Sequence, residues 1–378
     1  MRLLYLHHNE IDSGFANALQ VLHMCSAFAR MGVDVTLALP GSDVDMVYRN
    51  ITAQLGETPS FKVETFRRVT VLGKLRIVGG YLGVRKLLES AKVDCCFVRA
   101  AAFLNAPLKR NIPTVFEAHN SFMHKNLVSN AFWKRNLIRN SKHPKLIRFI
   151  GISSALMDFW IKAGVPEEKG LVLHDAVDAR QYSVVEERAA MRKTLGFPAN
   201  KKIVAYAGSL YKNRGIENIP ELAKRFREVL FVVVGGPEES KRLYEEMCKG
   251  RGISNIVFTG RVSHQEVKQY LFAADVLLMI WSRRVPTINY CSPLKMFEYM
   301  AAERVIVGHA FPTILEVLKD GEHAHLANPD SFDDLCEKMA SALNEEYPNE
   351  MAKRAREMAL SRYTWEARVK AILTYLAN

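Results

Sequence analysis

The sequence has no apolar run long enough to cross a bilayer. The most apolar stretches, such as "FVVVGG" at 231–236 and "VLLMIW" at 276–281, stop well short of the roughly 18 to 20 residues that a membrane-spanning helix needs. The first residues, "MRLLYLHHNE", have neither the sustained apolar segment nor the small-residue cleavage site of a signal peptide, and we interpret them as a first strand. We therefore expect a protein without a transmembrane helix that stays in the cytosol.

Metal-binding and nicotinamide motifs are also missing. None of the six cysteines forms a CxxC pair, no histidines cluster at metal-ligand spacing, and we expect reduced thiols in the core. The one DxD, at 43–45, follows a predicted strand and is interpreted as a solvated helix start, so we predict no bound metal or cofactor. No GxGxxG follows the first strand of either half, which argues against a nicotinamide-dependent dehydrogenase.

Length and charge indicate two unequal halves. The 378 residues suit two domains of roughly 150 to 200 residues each. Residues 1–180 hold 24 Lys and Arg against 15 Asp and Glu, whereas residues 181–378 hold 28 against 25. The excess charge could indicate a nucleic-acid-binding protein, but no recognised nucleic-acid module is present and the second half is nearly balanced. We expect the basic surface to lie in the first half.

Short β-branched runs alternate with helical patterns almost throughout the sequence. That order predicts parallel sheets covered by helices, the α/β class, with two doubly wound domains in series joined near residues 174–183. The predicted strands include "LLYLHH", "DVTLAL", "DCCFVR" and "TVFEAH" in the first half, and "IVAYAG", "LFVVVGG", "IVFTG", "VLLMI" and "VIVGH" in the second.

The segment "GSLYKNRGIENIP" at 208–220 joins a predicted strand to a predicted helix. Such a turn lies at the carboxyl edge of an open sheet, where the helix start offers backbone N–H groups and a partial positive charge. Lys212 and Arg214 add full charges, and Gly208 and Gly215 allow close backbone approach. These residues predict a phosphate site, although a solvated basic loop would show the same pattern.

The order of further motifs resembles that of the retaining glycosyltransferases of the GT-B fold, family 4. "GSLYKNRG" resembles the donor-phosphate turn of that family, with Arg214 at its lysine position and Ser209 where an arginine is usual. The resemblance implies that Lys212, or Lys295 of "SPLKMFEYMAA", supplies the cation that Ser209 lacks.

The same resemblance implies a nucleoside pocket. Gly260, Arg261 and Val262 of "TGRVS" would line the nucleobase, and Glu298 would accept hydrogen bonds from the ribose hydroxyls. Tyr290 stands where the family carries its first glutamate and cannot act as a carboxylate.

In the first half the resemblance is weaker, and it marks two residues for the sugar site. Gly14 of "NEIDSGFANAL" would pack close to the transferred sugar, and His119 of "VFEAHN" would line the sugar site. A helix-start glycine and a polar strand cap are the respective alternatives.

The resemblance implies two Rossmann-like domains with a donor and acceptor cleft between them and C-terminal helices that cross back. Residues 1–178 would bind the acceptor, residues 179–355 the nucleotide sugar, and residues 356–378 would pack on the first domain. It further implies metal-independent, retaining sugar transfer, with UDP favoured over GDP, to a glycan or lipid-linked acceptor in surface glycan synthesis. His119, Arg214 and Lys295 are the predicted catalytic residues. A GT-B nucleotide-sugar epimerase is the alternative, although no motif marks the extra acid and base that it needs.

No acidic residue occurs between Ala118 and Met157. Cations alternate there with apolar residues, as they do again at 66–88. Such stretches favour docking on an anionic membrane, at its inner face, or on a phosphate-bearing lipid. A solvated helix face whose apolar half enters the core is the alternative. The residues are Lys125, Lys134, Arg135, Arg139, Lys142, Lys145 and Arg148, with Phe122, Phe132, Trp133, Leu137 and Ile138.

Overall fold

The computed structural model describes residues 1–11, 16–66, 76–121 and 127–376. The chain divides into two compact units, the first formed by Met1–Asp175 with Trp365–Asn378 and the second by Ala176–Thr364. Each unit is built on one parallel sheet with helices between successive strands. The predicted α/β class with two doubly wound sheets is confirmed.

The first unit contains a seven-stranded sheet in the order β3-β2-β1-β4-β5-β6-β7, and every pair is parallel. The central strands are mostly apolar and almost wholly buried because helices cover both faces. The order reverses between β1 and β4, where open α/β sheets bind ligands. The strands are β1 Arg2–Leu6, β2 Asp34–Pro40, β3 Lys62–Phe66, β4 Cys95–Val98, β5 Thr114–Ala118, β6 Leu146–Gly151 and β7 Gly170–Val172.

Two helices of the first unit, the second and the sixth, begin at a side-chain cap and end at a glycine. Asp43 is the N-cap of the second helix, since its carboxylate accepts a hydrogen bond from the Met46 N–H at 2.9 Å, and Gly56 ends that helix in the left-handed conformation. The prediction that the DxD starts a helix is therefore confirmed. The helices are α1 Ala16–Arg30, α2 Val44–Leu55, α3 Arg76–Ser90, α4 Ala101–Leu108, α5 Leu127–Ser141 and α6 Ser154–Ala163.

The second unit repeats the arrangement with six parallel strands in the order β10-β9-β8-β11-β12-β13. Its strands are β8 Ile203–Ala207, β9 Leu230–Val234, β10 Ile256–Gly260, β11 Val276–Met279, β12 Val305–His309 and β13 His325–Ala327. Its helices are α7 Arg188–Leu195, α8 Asn218–Arg225, α9 Glu238–Gly250, α10 His264–Ala273, α11 Leu294–Ala301, α12 Pro312–Leu315, α13 Phe332–Asn344 and α14 Glu350–Arg362.

The last two helices belong to different units. Ala355 and Ala359 of α14 are buried in the core of the second unit, whereas α15, Trp365–Leu376, belongs to the first. There Trp365 is buried and stacks on His23 of α1 at a centroid distance of 5.7 Å. The expected boundary at residue 356 thus falls inside α14, whose alanine face keeps it in the second unit, and the return to the first unit begins at Trp365.

Candidate active site

The predicted phosphate turn follows β8 and lies at the carboxyl ends of the second sheet. Gly208 has a φ of 156°, and a Cβ built there would lie 2.7 Å from the Lys295 Nζ. Gly215 has a φ of 93°, and a Cβ there would lie 2.7 Å from the carbonyl carbon of Trp281. Both backbone conformations favour glycine, and at Gly215 a Cβ would also collide with neighbouring backbone. The close approach of these glycines to a ligand stays a prediction.

Four backbone donors of this turn already have partners. The Glu217 carboxylate accepts hydrogen bonds from the Asn213 N–H at 2.5 Å and the Gly215 N–H at 3.0 Å. The N–H groups of Asn218 and Ile219 donate to carbonyl groups of the same turn. The turn thus supplies its own carboxylate and carbonyls to these four N–H groups, which are not unpaired as expected. The cationic side chains beside the turn are a second set of groups that can meet a phosphate.

Lys295 belongs to another segment but lies against Gly208 of the turn. It is the second residue of α11, and its Nζ lies 4.0 Å from the ring centroid of Tyr206 and 5.2 Å from that of Trp281. Burial, together with the nearby positive charge of Arg214, lowers the pKa of Lys295 to about 7, although Glu298 acts in the opposite direction. The two aromatic faces stabilise its ammonium form. An arriving phosphate would find an amine that gains a proton readily.

Arg214 and Lys212 lie on the exposed side of the turn. Arg214 NH1 donates to Ser209 Oγ at 3.4 Å, so the serine at the family's arginine position touches the cation that follows it. Lys212 is exposed, and Lys295 is the predicted substitute cation that the fold brings against Gly208. Sequence reasoning missed Arg284, whose NH1 donates to Asn213 Oδ1 at 2.9 Å and adds a cation beside the turn. The "SRR" at 282–284 was the available signal.

The predicted nucleobase turn begins at Gly260, the last residue of β10. Its φ is 72°, and its carbonyl accepts a hydrogen bond from the Gly235 N–H at 2.9 Å. Arg261 is exposed, whereas Val262 is half-buried and packs against the core of the unit. The structure thus places the "TGRVS" segment at the same sheet edge as the predicted phosphate turn. The hydrogen bond from Gly235, which follows the neighbouring strand β9, holds its backbone there.

Glu298, the predicted ribose ligand, is paired with a histidine that the sequence analysis missed. His264 Nε2 lies 3.2 Å from Glu298 Oε1, and the side chains are 23% and 14% exposed. Burial disfavours the imidazolium, but the adjacent carboxylate outweighs it and raises the pKa of His264 above its ordinary value. Because His264 follows Ser263 at a helix start, its sequence context indicated only a capping residue.

In the first unit, His119 lies just after β5 and its imidazole is 24% exposed. Arg99 Nε, just after β4, donates to His119 Nε2 at 3.0 Å, and Glu117 Oε1 lies 2.5 Å from the same nitrogen. Burial and the Arg99 cation lower the pKa of His119 to about 4, against the opposing influence of Glu117. The imidazole is therefore neutral at pH 7. Gly14, the other predicted sugar-site residue, lies outside the described residues.

The predicted docking stretch falls largely on α5 and the loop after it. Phe132 is 59% exposed and packs edge-on against Trp133 at a centroid distance of 5.1 Å. Arg135 and Arg139 are exposed on the same helix, while Leu137 is buried. Phe122, Lys125 and residues 67–75 lie outside the described part of the chain. Of the apolar side chains on α5, Leu137 thus lies in the core and Phe132 lies at the surface.

The described residues contain neither a candidate membrane-spanning helix nor a candidate metal site. No helix there is long and apolar enough to span a membrane. In the same ranges, no group of three or more His, Cys, Asp or Glu side chains is arranged to hold a metal ion.

The chain matches two family models. Glycosyltransferase Family 4 matches residues 18–181, and Glycosyl transferases group 1 matches residues 187–359. Among curated proteins it is similar to the putative colanic acid biosynthesis glycosyl transferase WcaI of Escherichia coli, with 28% identity over 42% of this chain and 40% of that protein. It is also similar to the alpha-galactosylglucosyldiacylglycerol synthase of Streptococcus pneumoniae, with 25% identity over 56% of this chain and 59% of that protein. The chain thus spans about half the length of these relatives.

Solved structures show the same fold over the whole chain. HepE of Anabaena, solved in complex with UDP and glucose, gives a TM-score of 0.75 at 17% identity and covers 100% of this chain and 99% of its own. Sucrose-phosphate synthase from Thermosynechococcus elongatus gives 0.77 at 14% identity, with 99% and 97% covered. The strand order of both sheets and the two family models agree, and the chain belongs to the GT4-type glycosyltransferases of the GT-B fold.

Proposed function

We propose that the chain is a retaining glycosyltransferase that uses a nucleoside diphosphate sugar, with UDP favoured over GDP. The acceptor is a glycan or lipid-linked molecule in surface polysaccharide or glycolipid synthesis. The observation that carries the proposal is the pair of cations at the end of β8, Lys295 against Gly208 and Arg214 against Ser209. The curated relatives support the acceptor class through their names, and HepE, solved with UDP, supports the nucleotide.

The proposed chemistry uses these cations against developing negative charge. Breaking the anomeric C–O bond leaves charge on the diphosphate, and fixed cations bind that state better than the ground state. Lys295 and Arg214 supply this stabilisation, so a divalent metal is not required by the proposal. In the retaining reaction the acceptor approaches from the face that the diphosphate leaves, and no carboxylate of the chain is cast as a nucleophile. Glu298 accepts hydrogen bonds from the ribose, and Gly260, Arg261 and Val262 line the base.

The donor site is tested by thermal unfolding of the wild type and of Arg214→Ala with UDP, GDP, CMP, NAD and a short DNA duplex. A ligand at about 100 times its dissociation constant stabilises the folded protein by about 2.7 kcal/mol. We expect UDP to raise the melting temperature of the wild type and to lose most of this effect in Arg214→Ala. Arg225→Ala, an exposed cation in the last turn of α8, is the matched control and should keep the UDP response. A response to DNA alone would contradict the proposal.

The reaction class is tested with UDP-sugar donors alone and with lipid-linked acceptors. We expect a glycosylated product with the anomeric configuration of the donor, read by NMR of the new linkage. An epimerised UDP-sugar formed without acceptor would establish the epimerase instead.

We further propose that α5 docks on anionic lipid surfaces. Phe132 would enter the interface while Arg135 and Arg139 meet the phosphates, each cation contributing roughly 1 kcal/mol. The protein should sediment with vesicles containing phosphatidylglycerol, less so with phosphatidylcholine alone, and Phe132→Ser should weaken this binding. Leu243→Ser, a 65% exposed residue on α9, should not. Equal binding of the two variants would contradict docking through α5.

A further inference from the structure

Three charged side chains are buried together in the first unit. Arg99, Glu117 and Arg368 have side chains that are 4%, 0% and 2% exposed. Glu117 Oε1 lies 3.2 Å from Arg99 Nε, and Glu117 Oε2 accepts a hydrogen bond from Arg368 NH1 at 2.7 Å. The three residues come from the end of β4, from β5 and from α15. One carboxylate is therefore shared by two guanidinium groups that the fold brings together from distant parts of the sequence.

Arg368 is held on its other side by backbone. Its Nε and NH2 donate to the carbonyls of His174 and Leu173, each at 2.9 Å. Arg99 likewise donates NH1 to the Asn17 carbonyl at 3.1 Å and NH2 to Gln20 Oε1. Gln20 in turn donates to Asp175 Oδ1 at 2.5 Å. Each guanidinium is thus fixed in orientation by several acceptors.

Stability alone is a weak reason for such a cluster. Burying ions costs hydration energy, and well-packed apolar residues often replace a buried ion pair without loss of stability. Within the cluster, the side chain that reaches the surface is His119, and Arg99 and Glu117 both contact its Nε2. The buried charges therefore converge on one partly exposed imidazole.

We propose that Arg99 and Glu117 are positioning residues that fix the orientation of the His119 imidazole, that Arg99 keeps the imidazole neutral, and that Arg368 holds Glu117 in place for this task. The catalytic part of this inference rests on the proposed function and on the family resemblance, which implies that His119 lines the sugar site. The C-terminal helix α15 then contributes to the site through Arg368 rather than through contact with substrate.

The charges that face the imidazole set its protonation. Arg99 and Arg368 disfavour the imidazolium, Glu117 favours it, and burial adds to the effect of the arginines. Removing Arg99 leaves Glu117 beside the imidazole and should raise the pKa of His119. Removing the charge of Glu117 should not raise it. Loss of Arg99 should therefore raise the pKa of His119 whereas loss of the Glu117 charge should not, a difference that a loss of packing alone would not produce.

The test is an NMR titration of 13C-histidine-labelled protein, with the His119 signal assigned through His119→Asn. We expect the pKa of His119 to rise in Arg99→Met and not to rise in Glu117→Gln. Arg304→Met is the matched control, because Arg304 is equally buried but donates to backbone carbonyls of the second unit, and it should leave the His119 titration unchanged. An unchanged pKa in folded Arg99→Met would overturn the proposal.

Arg99→Lys covers the case in which Arg99→Met does not fold. It keeps the charge but loses the Nε hydrogen bond, so the imidazole should stay neutral while its orientation relaxes. We expect kcat for sugar transfer to fall about 10- to 100-fold, since small misplacements of a site group cost up to that much. Wild-type kcat in Arg99→Lys would overturn the positioning role. If His119→Asn transfers sugar at the wild-type rate while the NMR shifts are as expected, the sugar-site role of His119 fails and the coupling stands.

Discussion

The two sheets share one strand order around their switch points, yet they treat charge at their carboxyl ends in opposite ways. The first unit buries Arg99 and Arg368 around the Glu117 carboxylate that they share. The second leaves Arg214 exposed and sets the Lys295 amine near the rings of Tyr206 and Trp281. The same topology therefore yields one cluster of buried charges around a shared carboxylate and one site built on an exposed guanidinium and an amine next to aromatic rings.

The two units also differ in how they contact the histidine at the carboxyl end of an equivalent strand, β5 in the first unit and β12 in the second. In the first unit the residue after β4, Arg99, contacts the histidine after β5, His119. In the second unit the segment after β11 contacts the histidine that ends β12, but through backbone, with the Trp281 carbonyl 2.8 Å from His309 Nδ1. Burial lowers the pKa of His309 as it does that of His119. Burial is thus the main cause of the lowered histidine pKa in both units, and in the first unit the Arg99 guanidinium adds to it.

The strongest test of the comparison is Glu117→Ala. It leaves two guanidinium groups buried without their carboxylate, and we expect a loss of about 3 to 5 kcal/mol in the free energy of unfolding. Urea unfolding followed by tryptophan fluorescence is a suitable measurement, because the fully buried Trp160 and Trp365 both report on the first unit.

Glu298→Ala is the matched change in the second unit. Its partner His264 can release its proton when the carboxylate is removed, so the loss should stay below about 1 kcal/mol. Similar losses of unfolding free energy in Glu117→Ala and Glu298→Ala would show that the stability of the first unit does not depend on the carboxylate between its two buried arginines.

Lys295→Met should separate stability from activity. It keeps the length of the side chain and removes the charge, so we expect kcat for sugar transfer to fall about 100-fold, the usual effect of losing one transition-state donor. A fall in kcat of less than about threefold would remove Lys295 from the mechanism.

The same variant carries a pH signature. The pKa of Lys295 is about 7 in the folded protein, against an ordinary lysine value of 10.5. Between these values the unfolded chain binds a proton that the folded one does not, so wild-type stability should rise with pH across that window. Lys295→Met should lack this rise. Urea unfolding of both proteins at pH 6.5, 8 and 9.5 gives the difference directly.

Local patterns were sufficient for much of the second site. A buried strand, a glycine, two cations and a helical pattern lie within 208–220, and the prediction of a strand-to-helix turn there is confirmed. The role of Glu217 was not visible, because a glutamate at a helix start looks the same whether it caps its own turn or faces solvent. The roles of Arg214, Lys295 and Glu298 stay predictions.

The buried cluster of the first unit was out of reach for a different reason. Glu117 and Arg368 are 251 positions apart, and no local pattern pairs them. One signal existed, since a glutamate inside the apolar strand "TVFEA" must find a partner when both faces of the sheet are covered. The sequence pattern predicts that Glu117 needs a buried partner, but it does not identify Arg368 as that partner.

The smallest expected effect concerns His264. Its pKa is raised in the folded protein, so pairing with Glu298 contributes stability that is complete below the ordinary histidine pKa of 6.5 and is lost as pH rises through the folded value. Because both groups are partly exposed, this contribution should be below about 1 kcal/mol, and His264→Asn should remove it. Urea unfolding of the wild type and of His264→Asn at pH 5.5 and 8 measures it.

The pH dependence of ligand binding also tests the pairing of His264 with Glu298. If Glu298 accepts hydrogen bonds from ribose, protonated His264 competes for that carboxylate, and uridine should bind more tightly as pH rises from 6 to 8, within about fivefold. UDP should show the opposite trend, because its diphosphate favours the ammonium form of Lys295, which is lost over the same range. Calorimetric titration with both ligands distinguishes the two groups. Parallel trends for uridine and UDP would mean that only one of the two side chains, His264 or Lys295, responds to the nucleotide. The same titrations of Lys295→Met and of His264→Asn would identify which one.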